Sequence, residues 1–344
     1  MGSLGRIRNA IFGAFAGDAA CMTTHWIYDP KEMASVAGGE EPEFKTPASP
    51  RFYSASEFPG HYETGSFSPY GEQLLFVAQY VAKAGEVEGE AMTEAMRDWA
   101  TAYTGRKDHA TQAFLANVAN GLKFPESGAD DNQAHCFLKA VPVTCLYAGT
   151  PERRDKVEEA IRVHQNNDEA VRFGLLASDL LERVILGDSL EEAVGYVEAR
   201  APPEAAKAFD DARSKLPLSD LLTKLSNEIM KDKPDSPFYN LAARSCALPS
   251  AFVAPVHELL NQDSYVSAMR ENILAAGDTC SRAIFLGAVV AAARGPPPQA
   301  WVDKLTTAKD SFTHKPAPIA DLVADIADKI VAHNEKKNMK TTCD

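Results

Sequence analysis

The stretch 275–292, "AAGDTCSRAIFLGAVVAA", carries one acid, one thiol and one guanidinium ahead of an otherwise apolar run. From Ala283 the apolar side chains of Ile284, Leu286, Val289 and Val290 continue at helical spacing until "RGPPP", where Gly295 and Pro296 stop the helix. Asp278 is then the expected N-cap, and Cys280 falls in the first helical turn. The polar mouth formed by Asp278, Cys280, Ser281 and Arg282 therefore opens a segment expected to be buried.

The same punctuation recurs along the chain. "SPYGEQLLFVAQYVAKAG" opens at Ser68 and Pro69, carries an apolar face through Leu74, Leu75, Val77, Ala78 and Val81, and ends at Gly85. "TPERRDKVEEAIRVH" places Thr150 as N-cap with Pro151 in the first turn, and "SLEEAVGYVEA" begins with the capping-box pair Ser189 and Glu192. Strand-like alternation is nearly absent, so the expected fold is all-α. Two irregular stretches interrupt it: one from about Asp29 to Ser68, rich in Pro, Ser, Gly and aromatics, and "FPESGADDNQAH" at 124–135. Loops this long in a compact domain are usually functional. The expected layout is a single domain over 1–332 and a polar, disordered tail at 333–344, "HNEKKNMKTTCD".

The 344 residues are 45% hydrophobic, enough to bury a large core. A net charge of -13 without a basic run argues against a nucleic-acid partner, because phosphate neutralisation needs clustered Lys and Arg. Six cysteines without a CxxC pair read as reduced thiols of a cytoplasmic protein. "RIRNAIFGAFAGDAAC", 6–21, has a basic start and a short apolar run, but Asp18 interrupts it; this suits an amphipathic first helix better than a signal peptide. No other apolar stretch is long enough to cross a bilayer, so no membrane partner is expected. Within the first helix Gly13 and Gly17 stand one turn apart, a spacing that lets another helix approach closely. Asp18 follows directly and needs partners if buried; one reading makes it a cap on a neighbouring helix. Oligomeric state has no signature here.

Four stretches in order, "GAFAGDAAC", "SPYGEQL", "DNQAHCFLKAVPV" with "RVHQNNDEAV", and "AAGDTCSRAIFLGAVVAA", resemble the ADP-ribosylglycohydrolase family. The resemblance runs from Arg6 to about Gly295 and implies an orthogonal multi-helix bundle. In that family two magnesium ions are held by a Thr-Asp-Asp-Thr run and a later Gly-Asp-x-Asp-Thr run, hard cations matched to carboxylate and hydroxyl oxygens. Here the early run reads Pro69, Tyr70, Gly71, Glu72, and the late run keeps Asp278 but has Cys280 and Ser281 in place of aspartate and threonine. Too few anionic ligands remain for two dications, so no cofactor is expected; a single magnesium at Asp278 and Ser281 stays open. "HWIYDP", "SPYGEQ" and "GDTCSRA" resemble the J-crystallin branch of the family, whose members include lens structural proteins.

What the resemblance implies for a site is a central cleft built from Asp18, Tyr70, Glu72, His135, His164, Asp278 and Cys280. Cys280, near a helix N-terminus and Arg282, is a candidate nucleophile or acid/base group; the bland alternative is a small buried hydrophobe. Arg282 is the candidate counter-charge of Asp278 or Asp18. His135 is a candidate proton carrier and Glu72 a further catalytic acid. Asn132, Cys136, His164 and His25 are candidate substrate contacts, with simple packing as the other reading of His164. Glu57 and Glu63 are weaker acids on the long loop, and Phe52, Tyr53, Phe58, His61, Tyr62 and Phe67 either form a lid or pin that loop. The leading reading is an enzyme that hydrolyses a glycosidic or related C–N or C–O bond of a small molecule. Its rivals are a metal-dependent ADP-ribosylhydrolase with altered ligands and a non-catalytic crystallin-like protein.

Overall fold

The computed structural model describes residues 1–39, 41–46 and 57–341. In chain order the first helices are α1 (Ser3–Cys21), α2 (Pro30–Ala37), α3 (Pro69–Ala84), α4 (Gly89–Ala102), α5 (His109–Ala119) and α6 (Cys136–Tyr147). There follow α7 (Arg153–His164), α8 (Asp168–Leu186), α9 (Leu190–Glu198), α10 (Pro203–Ala212), α11 (Leu218–Ile229) and α12 (Ser250–Asn261). The last are α13 (Tyr265–Leu274), α14 (Thr279–Arg294), α15 (Gln299–Val302) and α16 (Ile319–Thr341). Among the described residues the single sheet is a two-stranded antiparallel ribbon, Thr307–Lys309 against Pro316–Pro318, so the fold is all-α as expected.

Why α1 and α14 sit at the centre follows from their small residues. A Cβ on Gly13 would lie 2.2 Å from the Gly287 carbonyl oxygen, and one on Gly287 would lie 2.3 Å from that of Gly13. The two backbones touch, which only glycine permits. Gly17 repeats the approach one turn on, where a Cβ would meet the Ala283 carbonyl at 2.9 Å. Tyr265 of α13 donates to the Gly13 carbonyl at 2.7 Å and locks a third helix to the crossing.

Local punctuation largely obeys the sequence. Ser68 caps α3 by accepting from the Tyr70 and Gly71 N–H groups, Gly85 ends it at φ +72°, and Ser189 with Glu192 forms the capping box of α9. Thr150, however, does not cap α7: its hydroxyl donates to the Tyr147 carbonyl at 2.9 Å, and the helix begins at Arg153. Part of the stretch expected to be loop from Asp29 is helix α2, capped by Asp29 itself.

The polar tail is the larger correction. Residues up to Thr341 continue α16, because Asn334 and Asn338 both donate to the Ala148 carbonyl, at 2.9 and 3.0 Å, giving a polar segment specific partners. Phe52 and Tyr53 lie outside the described residues. Of the other loop aromatics, Tyr62 and Phe67 are buried, Phe67 against Phe15 at 5.2 Å, so they pin the loop.

Replacing Gly13 with alanine is expected to destabilise the fold by about 3 kcal/mol or more, since the contact is with backbone that cannot rotate away. Gly195→Ala, in α9 with open space around its Cα, is expected to stabilise by up to about 1 kcal/mol. Urea unfolding midpoints of the two variants check both signs.

Candidate active site

The crossing of α1 and α14 brings the end of one helix to the start of the other, and Asp18 and Asp278 are both fully buried there. Asp18 accepts from the Ser68 hydroxyl at 2.5 Å and the Ser68 N–H at 2.9 Å, and Ser68 in turn caps α3. This is the cap on a neighbouring helix that the sequence allowed, made through an intermediary. Burial pushes the Asp18 carboxyl up to about 7, against the opposing Ser68 hydrogen bonds. A Cβ on Gly71 would fall 2.0 Å from Asp18 Oδ2, so a side chain at that position is excluded while Asp18 sits there.

Asp278 occupies the N-cap position of α14, but its carboxylate does not cap. Its Oδ2 accepts from Tyr70 at 3.2 Å and from Ser281 at 2.9 Å, and its Oδ1 lies 3.0 Å from His25 Nε2. The Cys280 N–H donates to His25 Nδ1 at 3.2 Å. A backbone N–H can only donate, so in the neutral imidazole Nε2 carries the proton, close to Asp278 Oδ1 but without the alignment of a hydrogen bond. Burial, then the charges of Arg282 and Arg106, hold His25 well below its usual range, and burial pushes Asp278 up.

Beyond Tyr70 the cluster continues. The ring of His135 lies 4.9 Å from that of Tyr70, and its Nε2 is 3.2 Å from Asp108 Oδ2. Asp108 caps α5 and accepts from the Thr111 hydroxyl, which meets His164 Nε2 at 3.1 Å. On the other side of His164, Lys139 is 2.9 Å from Nδ1 and donates to Gln73 at 2.6 Å and to the His135 carbonyl at 3.2 Å. Burial lowers this amine to about 7. Burial alone would raise Asp108, but the imidazoles of His135 and His164 hold it well below the carboxylate range. Asp108 and Lys139 escaped the sequence reading; a lone lysine inside the apolar "CFLKAVPVTCLY" was the available signal.

Several candidates stand elsewhere or act differently. The Cys280 thiol is buried, 3.6 Å from the Asp18 carbonyl, and burial together with the nearby acids pushes it well above the thiol range, the reverse of an activated thiolate. Arg282 does not pair with Asp278 or Asp18: it donates to Asn272 Oδ1 and to the Asn272 and Ala276 carbonyls, tying down the C-terminal end of α13. Glu72 turns to another pocket of about 230 Å³, where His61 Nδ1 lies at 2.5 Å and Tyr103 donates to it. Asn132 is exposed and donates to Glu169, and Cys136 is buried against Gly174 with its thiol raised to about 12 by burial. His164 packs inside the network. Glu57 and Glu63 are exposed.

The two buried acids are met by neighbouring groups of the protein itself. Tyr70 and Ser281, whose hydroxyl was expected as a ligand, both donate to Asp278 Oδ2, its Oδ1 lies 3.0 Å from His25 Nε2 without a hydrogen bond, and Ser68 addresses both oxygens of Asp18. Among the described residues no three His, Cys, Asp or Glu side chains are grouped to hold a metal. Trp26 packs on His25 at 4.7 Å between ring centres and carries the Arg106 guanidinium 4.4 Å from its ring, while the thiol of the partly exposed Cys246 meets Gln133 at 2.9 Å.

A helical bundle with a buried acid at the end of its first helix and another at the start of α14 defines a known class. The family model described as ADP-ribosylglycohydrolase matches residues 2–338, and the chain belongs to that family. Among its relatives are two proteins of Tripedalia cystophora. Crystallin J1A is 28% identical over 330 residues, covering 87% of this chain and 91% of its own. Crystallin J1B is 26% identical over 326 residues, with the same coverage of 87% and 91%. A solved structure titled "ADP-ribosylglycohydrolase-related protein complex" superposes with a TM-score of 0.63 at 16% identity, covering 97% of this chain and 99% of that one, and shows the shared fold. No helix among the described residues is long and apolar enough to cross a membrane.

Two outcomes follow from the site. Between the ordinary carboxylate value of 3.8 and about 7, folded Asp18 keeps a proton that the unfolded chain has released, so its contribution to stability falls as pH rises through that window. The stability difference between wild type and Asp18→Asn should therefore shift against wild type from pH 5 to pH 8; a difference constant with pH would refute the assignment. Among the described cysteines, Cys246 should react with a thiol reagent before Cys280, Cys136, Cys21 and Cys145, as peptide mapping of the native protein will read out.

Proposed function

We propose that this chain hydrolyses a glycosidic or related C–N or C–O bond of a small molecule without a paired magnesium centre, at the cluster of Asp278, His25, Tyr70 and Asp18. The observation that supports the reading most is the Asp278 carboxyl, buried and raised, with Tyr70 and Ser281 donating to Oδ2 and with Oδ1 left without a hydrogen bond among the described residues, 3.0 Å from His25 Nε2. A carboxyl that holds its proton more tightly than usual can give it to a departing oxygen or nitrogen, and the carboxylate left behind can take a proton from the incoming water, which restores it. Asp18, near 7, is the second carboxyl, available in its ionised form to stabilise positive charge at the anomeric carbon. Cys280 contributes its N–H to orient His25, and its thiol takes no part.

The test is turnover of N- and O-linked ribosides, including ADP-ribosylated substrates, with and without chelator. Asp278→Asn is expected to lower kcat by about 10²-fold or more, Cys280→Ser to leave it within severalfold, and chelator to change nothing. Loss of activity on chelation would favour the metal-dependent rival. The crystallin relatives and the full burial of Asp18 and Asp278 favour a second reading, a non-catalytic protein. Absence of turnover on every substrate class, with Asp278→Asn gaining stability, would establish that reading instead.

A further inference from the structure

Away from the centre, five arginines converge on a concavity of about 470 Å³ between α7, α8 and α9: Arg153, Arg154, Arg172, Arg183 and Arg200. Only two acids share the lining, Asp179 and Glu182, so five positive charges less two negative leave three positive, in a chain whose net charge is -13. Part of the cluster is structural. Arg153 is tied to Ser178 and Asp179 at 2.6 Å each and to Glu182 at 2.8 Å, Arg154 pairs with Asp179, and Arg183 pairs with Asp188 at 2.5 Å. These bonds staple α7 to α8 and brace the end of α8, and they account for three of the five.

They do not account for Arg172 and Arg200. Arg172 forms no hydrogen bond or ion pair among the described residues, although it lines the same concavity. Arg200 stacks on Tyr196 at 3.7 Å, with Arg183 also over that ring at 4.3 Å, and uses one N–H on the Tyr196 carbonyl at 3.2 Å. Its other donors are left over. Arg200, held by stacking on Tyr196, and Arg172 lie beside fixed like charges, and neither has a carboxylate partner among the described residues. A guanidinium fork matches phosphate oxygens in pairs, and a highly charged anion relieves the repulsion best. Leu175, Leu176, Val197 and Pro202 add an apolar wall, and the volume is that of a small organic ligand.

We propose that this concavity binds a phosphorylated small organic molecule, its phosphates bridging Arg172 and Arg200 and its organic part lying on the apolar wall. The site is separate from the Asp278 cluster and independent of its activity.

Calorimetric titration of the full chain with a nucleoside diphosphate, inorganic pyrophosphate and an uncharged nucleoside tests it. Expected is saturable one-to-one binding of the diphosphate, weaker binding of pyrophosphate and none of the nucleoside. Affinity should fall at least tenfold in Arg172→Glu/Arg200→Glu and in the milder Arg172→Gln, each folded as judged by an unchanged melting temperature, and should hold in Asp278→Asn. Equal affinities for diphosphate and pyrophosphate would overturn the assignment to an organic phosphate. Binding unaltered by the arginine changes, binding lost only with Asp278→Asn, or no saturable binding in the low millimolar range would overturn the site itself.

Discussion

The contact of two helix backbones at Gly13 and Gly287 governs the geometry of everything chemical in this protein. With no side chain between them, α1 and α14 come close enough for the last turn of one to reach the first turn of the other. Asp18 then meets Ser68 and the N-terminus of α3, while the Asp18 carbonyl receives the Cys280 thiol. A larger residue at either glycine would separate the two acids from the groups that make their burial tolerable.

Burial dominates the electrostatics of the centre, and it acts in one direction: towards neutrality. It raises Asp18 and Asp278, raises the thiol of Cys280, and lowers His25, His164 and Lys139. Hydrogen bonds from Ser68 meet Asp18, and those from Tyr70 and Ser281 meet one oxygen of Asp278. Tyr70 is decisive, because its hydroxyl projects from α3 to Asp278 and offers a proton where the family pattern has an acid. The departure from that pattern is thus a consistent change of chemistry across several residues, with Gly71 making room for Asp18.

How much of this was legible in the sequence depended on the range of the interaction involved. Helix ends set by nearby residues, such as Ser68, Gly85 and the Ser189–Glu192 pair, read correctly because their causes are local. Asp278 was placed correctly at a helix start, yet the direction of its carboxylate depends on Tyr70, a partner 208 residues away. Glu72 looked close to the site because it is close to Tyr70 in sequence. Each residue turns a helix by roughly 100°, so two positions send the side chain to the far side. Arg282 looked like a counter-ion, but carbonyls at the end of α13 were better placed to receive it. For the J-crystallin resemblance, the relatives agree with what the motifs implied.

The last helix has a consequence for how the chain is made. α16 lays apolar Ile319, Val323, Ile326 and Ile330 into the core and fastens its polar end to the Ala148 carbonyl through Asn334 and Asn338. α16 packs on α1, α3 and α6, all synthesised far earlier. A nascent chain therefore exposes an apolar trough along those helices until α16 has left the ribosome. Completion of this bundle thus waits on the synthesis of α16, whatever the earlier helices have already formed.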